Sequence, residues 1–120
     1  MQGFRNFLED RKAVVILSEC RVASRRLGVA GTFDTAIRYE RADSLLDVKT
    51  SATVPRIVGP QTSGYKELAA EDLGLKLKKR FCLHLNPGHP RGYKFIALNN
   101  AADFSIFVSA LNCWRFMNPQ

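Results

Sequence analysis

GTFDTAIRYERADSLLDVKTS, residues 31–51, reads as two strands joined by a polar turn. Alternation along 29–40 sends Val29, Gly31, Phe33, Thr35 and Ile37 to one face. It sends Ala30, Thr32, Asp34, Ala36 and Arg38 to the other. Glu40 to Ser44 forms the expected turn. The next strand, Leu45 to Ala52, then sets Asp47, Lys49 and Ser51 on one face and Leu46, Val48 and Thr50 on the opposite one. Such a hairpin brings Asp34 and Asp47 to one side. Two carboxylates on one sheet face are costly unless a cation compensates them. Mg²⁺ is held by one or two carboxylates with waters and phosphate oxygens, and a neighbouring lysine offsets charge that develops on a phosphorus under attack. Strand charges at i and i+2 are common, so an Asp-x-Lys triplet alone favours solvated neighbours on a surface hairpin by a wide margin, and only context can lift the metal reading.

The flanking sequence supplies that context. Residues 3–10 predict a short helix with Phe4, Phe7 and Leu8 on one side, and 13–23, AVVILSECRVA, predict a largely buried strand. Arg25, Arg26 and Gly28 make a basic turn between the first two strands. Pro60 is expected as the first residue of a helix over 61–73 that ends at Gly74. The basic run KLKKR, 76–80, leads into a hairpin over 80–98 that turns through PGHPRG. Phe104, Phe107, Val108, Leu111 and Trp114 recur at helical spacing in 102–117, with Asn100 or Asp103 as the cap. The order is helix, three strands, helix, two strands, helix. That order predicts an α/β (α+β) domain, a mixed central sheet flanked by helices.

The chain has 120 residues, the size of one domain, and needs neither disulfide nor structural metal to fold. Eighteen Lys and Arg against eleven Asp and Glu leave a net charge of +7, which favours a polyanionic partner. No basic amphipathic helix, signal peptide or run of transmembrane length is evident, so a membrane is not expected as partner. Cys20, Cys82 and Cys113 are far apart and form no CxxC pair, which suggests reduced, largely packed thiols in a cytoplasmic protein and argues against a zinc ribbon.

GTFD at 31–34 followed by LLDVKTS at 45–51 resembles the second and third motifs of the PD-(D/E)XK nuclease superfamily, closest to its RecB-like and phage-exonuclease branch. The Gln-x-x-x-Tyr motif of that branch is matched by Gln61 and Tyr65, twelve residues after the lysine and one helical turn apart. The resemblance spans roughly residues 13–118, with three motifs in order. It implies a restriction-endonuclease-like core in a single domain, with Asp34, Asp47 and the Val48 carbonyl as metal ligands and Lys49 as the catalytic lysine. Gln61 and Tyr65 would orient active-site groups or contact the substrate strand. Glu19, on the preceding strand, stands where members often carry a further carboxylate; a strand charge paired with Arg21 explains it equally well.

The implied activity is Mg²⁺-dependent hydrolysis of DNA, with Mn²⁺ as a substitute, in phage or prophage recombination, repair or replication inside a bacterial host cell. Exonuclease is favoured over endonuclease by family likeness alone. Arg25, Arg26, Lys76, Lys78, Lys79 and Arg80 become the candidate phosphate contacts. Homo-oligomers and a recombination partner protein are further implied partners. Many relatives carry an earlier helix with a His or Glu that completes the metal site, whereas here only about a dozen residues precede the first strand. A minimal form, a truncated chain and a domain fragment all fit that departure. Two rivals to catalysis stay open: a DNA-binding module that keeps the fold without a full metal site, and a subunit of a recombination complex. His84 and His89 have no partner at ligand spacing and are expected to be structural or solvated, and Tyr93, Phe95 and Trp114 are expected in the core.

Overall fold

The computed structural model describes residues 2–119. Helix α1 (Gln2–Arg11) is followed by strands β1 (Val14–Ser24), β2 (Val29–Tyr39) and β3 (Ala42–Lys49). Helix α2 (Val58–Leu73), strands β4 (Lys79–Leu85) and β5 (Tyr93–Ala97) and helix α3 (Asp103–Met117) complete the chain. The fold is mixed α+β as expected, a five-stranded sheet in the order β1-β2-β3-β4-β5 with three helices. Pairing is antiparallel from β1 to β3, parallel between β3 and β4, and antiparallel again between β4 and β5. The parallel step follows from α2, because only a crossover can return the chain in the same direction.

Each sheet face builds its own core. On one side Phe7 of α1 packs with Ile37, Leu46, Phe81 and Leu83. On the other, Leu68 and Ala69 of α2 pack with Val22, Phe33, Ala36 and Leu45. Full burial of a side chain such as Phe7 contributes about 2–3 kcal/mol. Simple alternation places Phe33 and Ile37 on one face, yet they belong to opposite cores. The alternation of β2 therefore breaks between them, at Asp34 and Thr35.

Several boundaries differ from expectation. The turn after β2 is only Glu40-Arg41, with φ of 50° and 65°, a tight two-residue hairpin turn in place of the five-residue one. Helix α2 begins at Val58, so Pro60 is its third residue; a ring is tolerated there because first-turn N–H groups have no helical acceptor. Gly74 does end α2, at φ 63°, with Gly74 N–H donating to Ala70 O and Leu75 N–H to Ala69 O. The residue capping α3 is Ala102, without a side-chain cap bond, so neither Asn100 nor Asp103 is the cap; Asn100 Oδ1 instead accepts from Ala102 N–H at 2.9 Å, in the turn before the helix.

Strand β1, expected to be largely buried, is so only near its end, at Val22 and Ser24. It is the sheet edge, and Val14 to Leu17 are exposed because α1 lies over β5 and the turn at Pro90–Gly92 instead. Trp114 is 61% exposed, not core, since α3 outruns its support on α2 after Leu111. What anchors α3 is near its start. Phe107 sits where a Cβ on Gly64 would be, 2.4 Å from that position, so the glycine permits the close crossing. Arg80 Nη1 donates to Asp103 Oδ2 at 2.9 Å and to Gly59 O at 2.7 Å, tying α3, α2 and β4 together.

Candidate active site

The β2–β3 ladder runs from Tyr39–Ala42 to Thr35–Leu46 and goes no further, whereas β3 stays paired with β4 up to Lys49–His84. Asp47, Val48 and Lys49 thus lie on a strand supported from one side, at a gap that opens toward β2. Asp34 occupies that gap. Its Oδ2 accepts from the Val48 N–H at 3.1 Å, replacing the ladder bond that the diverging strand no longer supplies. The contact seen at Val48 is thus made by its N–H.

Asp47 is 6% exposed, and its Oδ2 is fully buried with no hydrogen bond. Lys49 Nζ stands 3.4 Å from that oxygen, an ion pair without hydrogen-bond geometry. Burial pushes the Asp47 carboxyl above its ordinary range; the Lys49 charge opposes this and the nearby Asp34 carboxylate adds to it. Two acids and one ammonium leave the cluster a net negative charge, and one acceptor oxygen is left unsatisfied. Cys82, level with Asp47 on β4, is a buried thiol pushed up to about 11, by burial first and then by Asp47, so it is inert as a nucleophile. Cys113 is exposed, contrary to expectation.

The pairs Ser18–Thr35 and Cys20–Phe33 set Glu19 level with Asp34 across the β1–β2 ladder. Glu19 is nevertheless exposed, at φ 49°, and among the described residues no three His, Cys, Asp or Glu side chains gather as a metal site. The third carboxylate is therefore not brought in. Gln61 and Tyr65 do meet on one face of α2, Gln61 Nε2 donating to Tyr65 Oη at 3.4 Å. Among the described residues neither bonds to Asp34, Asp47 or Lys49. The tyrosine ring lies on Gly31, where a Cβ would stand 2.7 Å from Tyr65 Cε1. The glycine of GTFD is thereby accounted for: it makes room for the ring beside the acidic strand.

The candidate phosphate contacts separate. Arg25 and Arg26 are exposed in the β1–β2 turn, Arg26 paired with Glu71 at 3.0 Å. Lys76, Lys78 and Lys79 are exposed at the other end, Lys79 being level with Ser44 and, through it, with Ile37. Val29 and Ile37 are eight residues apart, so about 26 Å of strand separates the groups, with Asp34 between them. Arg80 does not belong with them. It is nearly buried and held by Asp103, Gly59 and Thr62, at the wall of a cavity of about 500 Å³ rimmed by Lys66, Lys78 and Lys79.

A histidine pair escapes the sequence, because the Pro-Gly turn that folds His89 back leaves no spacing signal. His84 is buried, with Nε2 2.6 Å from the Ser51 carbonyl oxygen. A carbonyl only accepts, so His84 Nε2 carries a proton toward Ser51, and His84 Nδ1 lies within hydrogen-bond distance of His89 Nε2, at 2.9 Å. The pair holds the chain just past Lys49. Ser51 therefore lies outside β3 rather than on its acidic face.

No family model matches the chain, and no curated relative matches it. Among solved structures, the crystal structure of SSO0001 aligns over 98% of this chain with a TM-score of 0.49 and 17% identity. The chain spans 57% of the length of that structure, and a likeness of this extent carries no inference about function. No helix among the described residues is long and apolar enough to cross a membrane.

Proposed function

We propose that the chain is a divalent-metal-dependent phosphodiesterase acting on DNA. The observation that carries this reading is Asp47 Oδ2, buried and without a hydrogen bond between Asp34 and Lys49. The donor set suits Mg²⁺, which needs only one or two carboxylates when waters and phosphate oxygens complete its shell. When bound, the cation supplies Lewis-acid charge to the phosphate and makes water more acidic. Asp34 and Asp47 bind it, and the Val48 N–H keeps the Asp34 carboxylate aimed into the gap. Lys49, whose Nζ stands 3.4 Å from Asp47 Oδ2, would face the bound phosphate and offset charge on its non-bridging oxygens. A water oxygen bonds to phosphorus and gives up a proton, one ester P–O bond breaks, and the departing oxygen takes up a proton. The His84–His89 pair restrains the strand end that carries Lys49.

Exonuclease action on phage or prophage DNA, in recombination, repair or replication in a bacterial cell, is the finer form of the proposal and rests on the motif resemblance. End-labelled linear and closed circular duplexes, incubated with Mg²⁺, Mn²⁺ or EDTA, test it. Metal-dependent loss of the linear DNA alone, abolished in Lys49→Ala, is expected. Mg²⁺ should also raise the melting temperature of the wild type and leave that of Asp47→Ala unchanged. Salt-dependent DNA binding without cleavage by a folded protein would favour the binding-module reading, which the absence of a third converging ligand among the described residues supports.

A further inference from the structure

The end of the sheet where β4 begins holds a cavity of about 500 Å³ whose sides differ in character. One wall is aromatic, made by Tyr39 at the end of β2, Phe81 of β4 and Phe95 of β5. Phe81 and Phe95 stack at 4.4 Å, and Tyr39 meets them edge-on at 5.6 and 5.2 Å. The rings fix one another, so the wall is preformed. The rim is cationic. Lys66 comes from α2, and Lys78 and Lys79 lead into β4, where Lys78 N–H donates to Asp43 O at 2.8 Å.

None of these three lysines is ion-paired among the described residues, although Glu40 also lines the cavity. Arg80 in the wall is already neutralised by Asp103. Ammonium groups gathered round one concavity with low-dielectric walls concentrate positive potential inside it, which calls for an anion. The aromatic wall adds a second requirement, since a bare inorganic anion would leave its apolar surface in water. Asn99, also in the lining, has an amide that both donates and accepts, as the edge of a nucleobase does. The volume falls within the range of roughly 300–1,000 Å³ usual for small-molecule sites.

We propose that this cavity binds a nucleoside phosphate, its base against Tyr39, Phe81 and Phe95 and its phosphate among Lys66, Lys78 and Lys79. A free nucleotide and the phosphorylated end of a DNA strand present the same chemistry. The site is separate from the carboxylates: Lys79 is level with Ser44, three residues and about 10 Å of strand before Asp47. The proposal needs no catalysis there and is independent of the phosphodiesterase reading.

Calorimetric titration with thymidine monophosphate, thymidine and inorganic phosphate tests it, in EDTA so that no cation holds phosphate at Asp34 and Asp47. The monophosphate is expected to bind, and thymidine and phosphate to bind about tenfold more weakly or worse, because each engages one side of the site. Lys66→Gln combined with Lys79→Gln should weaken the monophosphate about tenfold, with circular dichroism confirming the fold. Lys94→Gln removes an exposed charge on β5 outside the cavity and should change nothing. A short thymidine oligonucleotide with a terminal phosphate separates the two sources. Tighter binding than the mononucleotide, lost in the same double variant, assigns the cavity to a strand end, and weaker binding assigns it to a free nucleotide; either upholds the proposal. No binding of the monophosphate at millimolar concentration overturns it. So does inorganic phosphate binding as tightly, which leaves the aromatic wall without a role, or an equal loss in Lys94→Gln, which assigns the effect to overall charge.

Discussion

Asp47 is the residue on which stability and chemistry oppose each other. Its raised pKa means that the native state holds this proton more tightly than the unfolded chain does. The stability linked to it is complete below the unfolded value near 3.8 and declines as pH rises through the higher folded value. Asp47→Asn should remove that decline, stabilising the protein at neutral pH by about 1 kcal/mol while the two proteins converge in acid. Urea melts at stepped pH measure this; a variant less stable than wild type at pH 7 would mean that the Lys49 pair outweighs the cost of burial. Gly31 makes the complementary case. Gly31→Ala should cost about 1–3 kcal/mol by displacing the Tyr65 ring, and Tyr65→Ala should absorb that cost, so the double variant melts no lower than Tyr65→Ala alone. Additive losses would show that alanine acts through the β2 backbone. The two acids and the lysine are legible in the sequence because charges inside apolar strands stand out from their neighbours. His84 and His89 are not, since their meeting depends on the path of a turn.

Among the elements, the β2–β3 connection shows how a local preference can be overridden. Glu40 and Arg41 both sit at positive φ, where Asn-Gly is favoured and a side chain costs about 1 kcal/mol or more. Composition therefore points to a longer loop, and the pairing of Tyr39 with Ala42 closes a shorter one. Replacing the pair by Glu40→Asn and Arg41→Gly should raise stability by about 1 kcal/mol, read as a higher urea midpoint with an unchanged slope. A lower midpoint would show that Glu40 or Arg41 makes a contact more valuable than the relieved strain. Strand β1 departs from expectation for a different reason: VVIL looks the same whether helices cover it or it closes the sheet. Its residues state a preference for burial, and only the position of α1 over β5 decides that the preference goes unmet. The Phe and Leu spacing of α3 is likewise genuine, but spacing does not reveal where the supporting helix ends.

On the scale of the whole molecule, positive charge gathers at both ends of the sheet and the carboxylates lie between. If DNA crosses this surface, replacing Lys76, Lys78 and Lys79 by glutamine should lower the slope of log affinity against log salt by about 1 for each phosphate no longer neutralised. Binding titrations from low to moderate salt measure it, and an unchanged slope would take those lysines off the path. Arg80 is a different kind of cation, already neutralised by Asp103 inside the fold. Of α3, only Asp103 is buried, so the helix is held chiefly at its first two turns. Its amides should exchange with solvent well before those of β3 and β4, in a sub-global opening that leaves the sheet intact. Each such opening strips Arg80 of its counter-ion at the wall of the lysine-rimmed cavity, so the local field there strengthens for as long as the helix is away. An anion arriving in that interval would compete with Asp103 for the guanidinium and slow the helix's return.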